Sequence, residues 1–113
     1  MNYRIILDAP FKKEVKRLAK KYPSLKKDLS ALQDELLSNP QAGTDLGGGL
    51  RKVRMAIASK GRGKSHGARV ITFTVVVAIE ESEINLLTIY DKAERESISQ
   101  KEIEVLLKEA DLL

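Results

Sequence analysis

The residues best suited to chemistry are seven lysines and arginines in a glycine-rich segment that has no acid. Residues 47–79 carry 7 basic and no acidic side chains, which gives +7 in a chain of net charge +4. Residues 1–46 sum to +3 and residues 80–113 to −6. Surfaces that only need solubility mix both signs, whereas a segregated cationic patch indicates a polyanionic partner. We therefore expect this segment to bind nucleic-acid phosphates, those of RNA in particular.

Three of these cations lie on one predicted strand. Side chains alternate along a strand, so Lys52 and Arg54 point to one face and Arg51 to the other. Like charges on one face repel, so either solvent separates them or a phosphate lies between them, and the sequence leaves both readings open. Arg69 begins the most apolar strand. An arginine there can hold a phosphate through two hydrogen bonds while staying charged.

A loop in which cations alternate with glycines follows the first of these strands. It contains Lys60, Arg62 and Lys64. Glycine lets the backbone approach a ligand closely, and successive N–H groups in such a turn can hold an anion. The alternative is a solvated hairpin tip that binds nothing. The pattern is not a Walker loop, because a strand rather than a helix follows Ser65.

Metal-free RNA cleavage requires groups that accept and donate protons close to the phosphate. His66 is the only histidine, so a catalytic histidine pair is excluded. There is no cysteine, and no carboxylates cluster in the basic segment, so we expect no metal or other cofactor. A lysine crowded by cations can exchange protons, and arginines can stabilise the charge. Tyr90 and Lys92 end the last predicted strand, where Tyr90 is either a core residue or a site residue.

The elements that must position these residues are predicted in the order β-α-α-β-β-β-α. A strand over 3–7 precedes two helices, which end at Pro23 and at Asn39-Pro40. Residues 41–49 are predicted to be a turn-rich loop, and residues 50–91 a three-stranded antiparallel meander. A capping box at 99–102 begins a C-terminal helix. We expect one α+β domain over residues 1–113, with a small, mostly antiparallel sheet. The helices are predicted on one side, which would leave the opposite sheet face open to a ligand.

The N-terminus lacks the pattern of a secretory signal, and the longest apolar-rich run, residues 70–79, is half the length of a bilayer span. The absence of cysteine is compatible with a reducing compartment. We therefore expect a soluble, cytoplasmic protein that makes no membrane contact.

Several segments together resemble the RelE/ParE toxin superfamily, and the HigB-like branch in particular. They are GLRKVR at 49–54, ASKGRGK at 58–64, GARVI at 67–71 and LLTIYDK at 86–92. The resemblance covers nearly the whole chain. It implies a RelE-like fold and the toxin of a type II toxin–antitoxin system. It also implies an enzyme, a metal-independent endoribonuclease that cuts mRNA in the ribosomal A site and inhibits translation.

The resemblance also implies roles for individual residues. Lys52 and Arg54 match basic strand residues used for proton transfer and phosphate contact, and Arg69 matches an arginine that stabilises the phosphate. Lys92 matches a basic position after the last strand, and Tyr90 is a stacking partner for a base. The remaining cationic-segment residues predicted to contact RNA are Arg51, Lys60, Arg62, Lys64 and His66.

One departure concerns the general acid. Many relatives place a tyrosine or histidine in the C-terminal segment, whereas residues 93–113 have neither. This leaves Lys92, Tyr90 and His66 as alternatives for the proton donor.

The expected partners are mRNA on the ribosome, with contacts to 16S rRNA, and a cognate helix-turn-helix antitoxin. Two alternatives stay open: a ParE-like, non-enzymatic toxin that inhibits DNA gyrase, and a non-catalytic RNA-binding protein of the same fold. The Lys52/Arg54 pair and the loop of lysines and glycines argue against the gyrase inhibitor.

Overall fold

A five-stranded sheet in the order β1-β5-β4-β3-β2 organises the chain. The computed structural model describes residues 1–113. The strands are β1 (Asn2–Leu7), β2 (Thr44–Gly47), β3 (Leu50–Met55), β4 (Ala68–Ala78) and β5 (Glu81–Asp91). The helices are α1 (Ala9–Lys21), α2 (Leu25–Ser38) and α3 (Gln100–Glu109). β1 pairs with β5 in parallel and the other pairs are antiparallel, so the predicted α+β architecture is confirmed.

The local signals explain most of the boundaries. Pro10 lies in the first turn of α1, and Ser99 and Glu102 form the predicted capping box of α3. The predicted loop over 41–49 was wrong in part, because it contains the short strand β2 at the sheet edge. β2 was missed because it has four residues and one half-buried apolar side chain, Leu46.

The two sheet faces are covered by different helices. α1 and α2 pack on one face, where the larger core includes Phe11, Leu18 and Leu32. α3 packs on the opposite face through Ile103 and Leu107. The prediction that this face stays open was therefore wrong, because the apolar stripe of α3 must be buried somewhere. α3 does not cover the part of this face that contains Lys52 and Arg54 of β3. No helix combines the length and the apolarity that a membrane crossing requires.

The connection between β3 and β4 carries the glycines and cations of the predicted loop. It holds two short 3-10 turns, Ala58–Lys60 and Lys64–His66. We call residues 58–67 the basic loop. It lies beside the end of β3, the start of β4 and the end of β5, next to the uncovered part of the sheet.

Candidate functional site

A row of three polar side chains crosses the three central strands, one residue from the end of β3, the start of β4 and the end of β5. Arg54 on β3 lies opposite Arg69 on β4, and Arg69 lies opposite Tyr90 on β5. Directly opposed residues have Cα atoms about 5 Å apart and point to the same face. The sheet register therefore brings together three residues that are far apart in the sequence.

Lys52 completes the group on the same face. It lies two residues from Arg54 along β3, a spacing of about 7 Å. Lys52 is half-buried and Arg54 is exposed, and neither side chain has an acidic partner in the structure. The sequence prediction that these two share a face is confirmed. We call Lys52, Arg54 and Arg69 the cationic face.

Arg69 is the buried member of the cationic face, with 6% of its surface exposed. Its Nη1 donates to the carbonyls of Lys64 and Ala68, at 3.0 and 3.1 Å. Its Nη2 donates to the carbonyl of Ser65 at 3.3 Å. An arginine has five N–H donors, so Nε and one N–H of Nη2 remain without an acceptor. Arg69 is thus fixed in place and still has donors for an anion.

Tyr90 is a core residue. It is 5% exposed and packs with Ile103 and Leu107, so its ring is not free to stack on a base. Its hydroxyl is buried and has no hydrogen-bond partner. Burial raises the pKa of Tyr90, while the charges of Arg69 and Arg95 oppose that shift. The guanidinium of Arg95 lies 5.5 Å from the ring centroid.

Lys92 follows β5 and is held by an acid that the sequence analysis did not single out. Its Nζ donates to Glu96 Oε1 at 2.9 Å and to the Glu96 carbonyl at 3.1 Å. The hydrogen bond from Lys92 lowers the pKa of Glu96, and the charge of Arg69 contributes in the same direction. Glu96 is therefore within electrostatic reach of Arg69, and Lys92 follows two residues after Tyr90, the residue opposite Arg69.

The side-chain amine of Lys60 points into the protein rather than into solvent. Its Nζ donates to Asp91 Oδ1 at 2.6 Å and to the carbonyl of His66 at 2.9 Å. It also lies 5.2 Å from the ring centroid of Tyr22. Of the predicted RNA contacts, Lys60 is thus the one that the structure places against a buried carboxylate. Neither Asp91 nor Tyr22 was predicted, because nothing in their local sequence marks them.

The other cations of the basic loop are exposed. Arg62 has no partner in the chain, and the Lys64 Nζ lies 3.5 Å from Glu35 Oε2. His66 is exposed and its Nδ1 lies 3.0 Å from the Ser65 hydroxyl. Arg62, His66 and Lys92 border one groove of about 380 Å³, and Lys60, Tyr22 and Ala93 also line it.

Arg51 points away from the cationic face, as strand alternation predicts. Its Nε donates to the carbonyl of Ala42 and its Nη2 to the carbonyl of Gly43, both at 3.0 Å. The guanidinium thereby holds the segment before β2. This arrangement separates Arg51 from the other predicted site residues.

Together the sheet register and the basic loop define an α+β protein with a cationic sheet face. That face has a buried arginine, Arg69, a half-buried lysine, Lys52, and an exposed arginine, Arg54. The chain belongs to the RelE toxin family. It matches the family described as "RelE toxin of RelE / RelB toxin-antitoxin system" over residues 4–113. It is therefore a toxin of a toxin–antitoxin system, and an antitoxin is its expected partner.

Proposed function

We propose that this toxin is a ribosome-dependent endoribonuclease that cuts mRNA in the A site without a metal. The observation that carries the proposal is the cationic face, where Lys52 and Arg54 have no acidic partner although Arg69 lies opposite Arg54. Opposed like charges destabilise a sheet. A phosphate between them would turn that repulsion into attraction.

In the proposed cleavage reaction, the RNA supplies its own nucleophile, the 2′-hydroxyl. The 2′-oxygen attacks the adjacent phosphorus and the bond from phosphorus to the 5′-oxygen breaks. The products are a 2′,3′-cyclic phosphate and a 5′-hydroxyl. Lys52 accepts the 2′-hydroxyl proton, and Lys92 donates a proton to the leaving 5′-oxygen. Both lysines regain their starting states by exchange with water.

The arginines stabilise the charge that develops on the phosphate. Arg69 is fixed by carbonyls of the basic loop before any substrate arrives. Preorganised donors of this kind contribute most to stabilising a transition state, because they need not reorganise. Arg54 approaches the phosphate from the neighbouring strand. Arg62, Lys64 and His66 extend the cationic surface towards flanking phosphates or rRNA.

The test is cleavage of a defined mRNA on purified ribosomes, with the new ends mapped. Lys52→Ala combined with Arg54→Ala should abolish cleavage in the A site. A matched control is Lys26→Ala with Lys27→Ala, which removes two exposed lysines from α2 and should cut as wild type does. Cleavage that survives loss of Lys52 and Arg54 would overturn the assignment.

The same preparation separates the alternatives. Inhibition of gyrase supercoiling with intact mRNA would indicate a ParE-like toxin. RNA binding with a steep salt dependence and no cleavage would indicate a binding protein. Either result contradicts the proposed nuclease activity.

A further inference from the structure

Four consecutive carbonyls of the basic loop, at residues 64–67, accept hydrogen bonds from groups outside the loop's second turn, Lys64–His66. The carbonyls of residues 64 and 65 accept from Arg69, that of residue 66 accepts from Lys60 Nζ, and that of residue 67 accepts from the Lys92 N–H. Three of the four bonds come from cations, which form the stronger class of hydrogen bond. The loop is therefore held in one conformation and is not a free hairpin tip.

The cation contributed by Lys60 is itself held by a buried acid. Asp91 is fully buried and its Oδ1 accepts from Lys60 Nζ at 2.6 Å. Burial would raise the pKa of Asp91, but hydrogen bonds from Lys60, Tyr22 and the Ala93 amide outweigh it, so the pKa is lowered. The carboxylate is thus ionised at neutral pH and bound to a lysine that is 13% exposed.

Asp91 also connects three separate parts of the chain. Its Oδ2 accepts from the Tyr22 hydroxyl just after α1, and its Oδ1 accepts from the Ala93 N–H at 2.9 Å. The residue between Asp91 and Ala93 is Lys92. One carboxylate therefore fixes the end of β5, the start of the segment that carries Lys92, and, through Lys60, the basic loop.

We propose that Asp91 is a positioning residue and that Lys60 is the internal link through which it acts. In this role Lys60 does not contact RNA. The pair sets the distance between the basic loop and Lys92, and so the width of the groove that Arg62, His66 and Lys92 border and whose wall includes the largely buried Lys60. For its effect on cleavage this inference rests on the proposed nuclease function.

Asp91→Asn distinguishes this role from a phosphate-binding role for Lys60, because the two roles predict opposite signs. If Lys60 binds phosphate, releasing it from Asp91 adds a free cation and raises RNA affinity and cleavage. If the pair positions the loop, cleavage of ribosome-bound mRNA falls by roughly ten- to a hundredfold, the usual effect of a small misplacement. The matched control is Glu35→Gln, which releases Lys64 at the exposed surface and should leave cleavage unchanged or slightly higher.

Hydrogen exchange of the peptide covering residues 60–67, followed by mass spectrometry, provides a readout independent of activity. We expect faster exchange in Asp91→Asn and Lys60→Met, wild-type exchange in Glu35→Gln, and partial recovery of cleavage in Lys60→Arg relative to Lys60→Met. Cleavage by Asp91→Asn at or above the wild-type rate would overturn the inference, as would unchanged exchange.

A second variant covers the case in which Asp91→Asn fails to fold. Lys60→Met combined with Asp91→Asn removes both charges together and so leaves no unpaired buried ion. Fast exchange of residues 60–67 in this folded double variant supports the positioning role, and wild-type exchange refutes it. If wild-type toxin cuts no mRNA, the proposed nuclease function fails, but the exchange comparison still decides the role of Asp91.

Discussion

Arg54 and Arg69 lie directly opposite each other on β3 and β4, with their side chains on the same face of the sheet. Like charges in this arrangement destabilise a sheet by about 0.2–1 kcal/mol. Neither arginine has an acidic partner on the neighbouring strands. The repulsion between the two arginines therefore lowers the stability of the free protein, and an anion bound between them would offset that repulsion.

Replacing Arg54 should consequently raise the stability of the protein while lowering its activity. We expect Arg54→Gln to raise the free energy of unfolding by about 0.2–1 kcal/mol, with the larger gain at low salt, where repulsion is less screened. The same variant should lose mRNA cleavage. Urea unfolding at two salt concentrations and the ribosome assay measure the two effects. Arg62→Gln, in the exposed loop, is the control and should leave stability unchanged. A loss of stability in Arg54→Gln would contradict the assignment of Arg54 as a repelled cation.

A second prediction concerns the buried hydroxyl of Tyr90. A buried polar group without a hydrogen bond costs about 1–3 kcal/mol. Tyr90→Phe keeps the ring packed on α3 and removes this penalty, so we expect stability to rise by about 1 kcal/mol. Cleavage should stay near the wild-type rate, since Lys92 is the proposed proton donor. Tyr3→Phe, at a half-buried position outside the site, is the control for stability. A tenfold or greater loss of cleavage in Tyr90→Phe would instead identify the tyrosine hydroxyl as the general acid.

The sequence alone was sufficient to predict the helices and strands that are specified by residues close together in the chain. Helix periodicity, the capping box at Ser99 and the β-branched run of β4 all lie within a few residues of the structure they predict. Strand alternation also separated Lys52 and Arg54 from Arg51, because alternation is a property of the strand itself. These features need no knowledge of what packs against them.

The features that were missed depend on contacts between distant segments. The face chosen by α3 depends on which sheet surface has apolar residues left to cover. The buried role of Lys60 depends on Asp91, which lies 31 residues away. A lysine between a serine and a glycine carries no local sign that its amine is buried, so composition alone grouped it with the exposed cations.

Gly67 provides a test of the packing between the basic loop and β3. A Cβ added there would lie 2.0 Å from the Met55 carbonyl oxygen, which is rigid backbone. Gly67→Ala should therefore force the loop away from the sheet and disturb the bond between its carbonyl and the Lys92 N–H. We expect a loss of about 1–3 kcal/mol in urea unfolding, together with reduced cleavage.

Gly61→Ala is the comparison for Gly67→Ala. A Cβ at residue 61 meets nothing within 4 Å, but φ is +64°, so only backbone strain applies. That strain costs about 1–2 kcal/mol, and the bond from Lys92 to the loop is untouched, so cleavage should be better preserved than in Gly67→Ala. Equal losses of cleavage in the two variants would show that loop strain alone, rather than displacement from β3, controls the site.

The loss of folding stability at acid pH should depend on Asp91. Its pKa in the folded protein is below the ordinary value of 3.8, because the hydrogen bonds to the carboxylate outweigh its burial. A lowered pKa means that the stabilisation is present above pH 3.8 and is lost as the pH falls through the folded-state pKa. Urea unfolding between pH 7 and pH 3 should therefore show wild type losing more stability than Lys60→Met with Asp91→Asn, which lacks the carboxylate. Glu96 and Glu102 also have lowered pKa values, but Asp91 contributes to neither shift, so they cancel in the difference. Asp91 raises the pKa of Glu94, so its removal lowers that pKa further and makes the expected difference smaller without changing its sign. Parallel pH profiles for the two proteins would show that the buried carboxylate gives no net stability when it ionises.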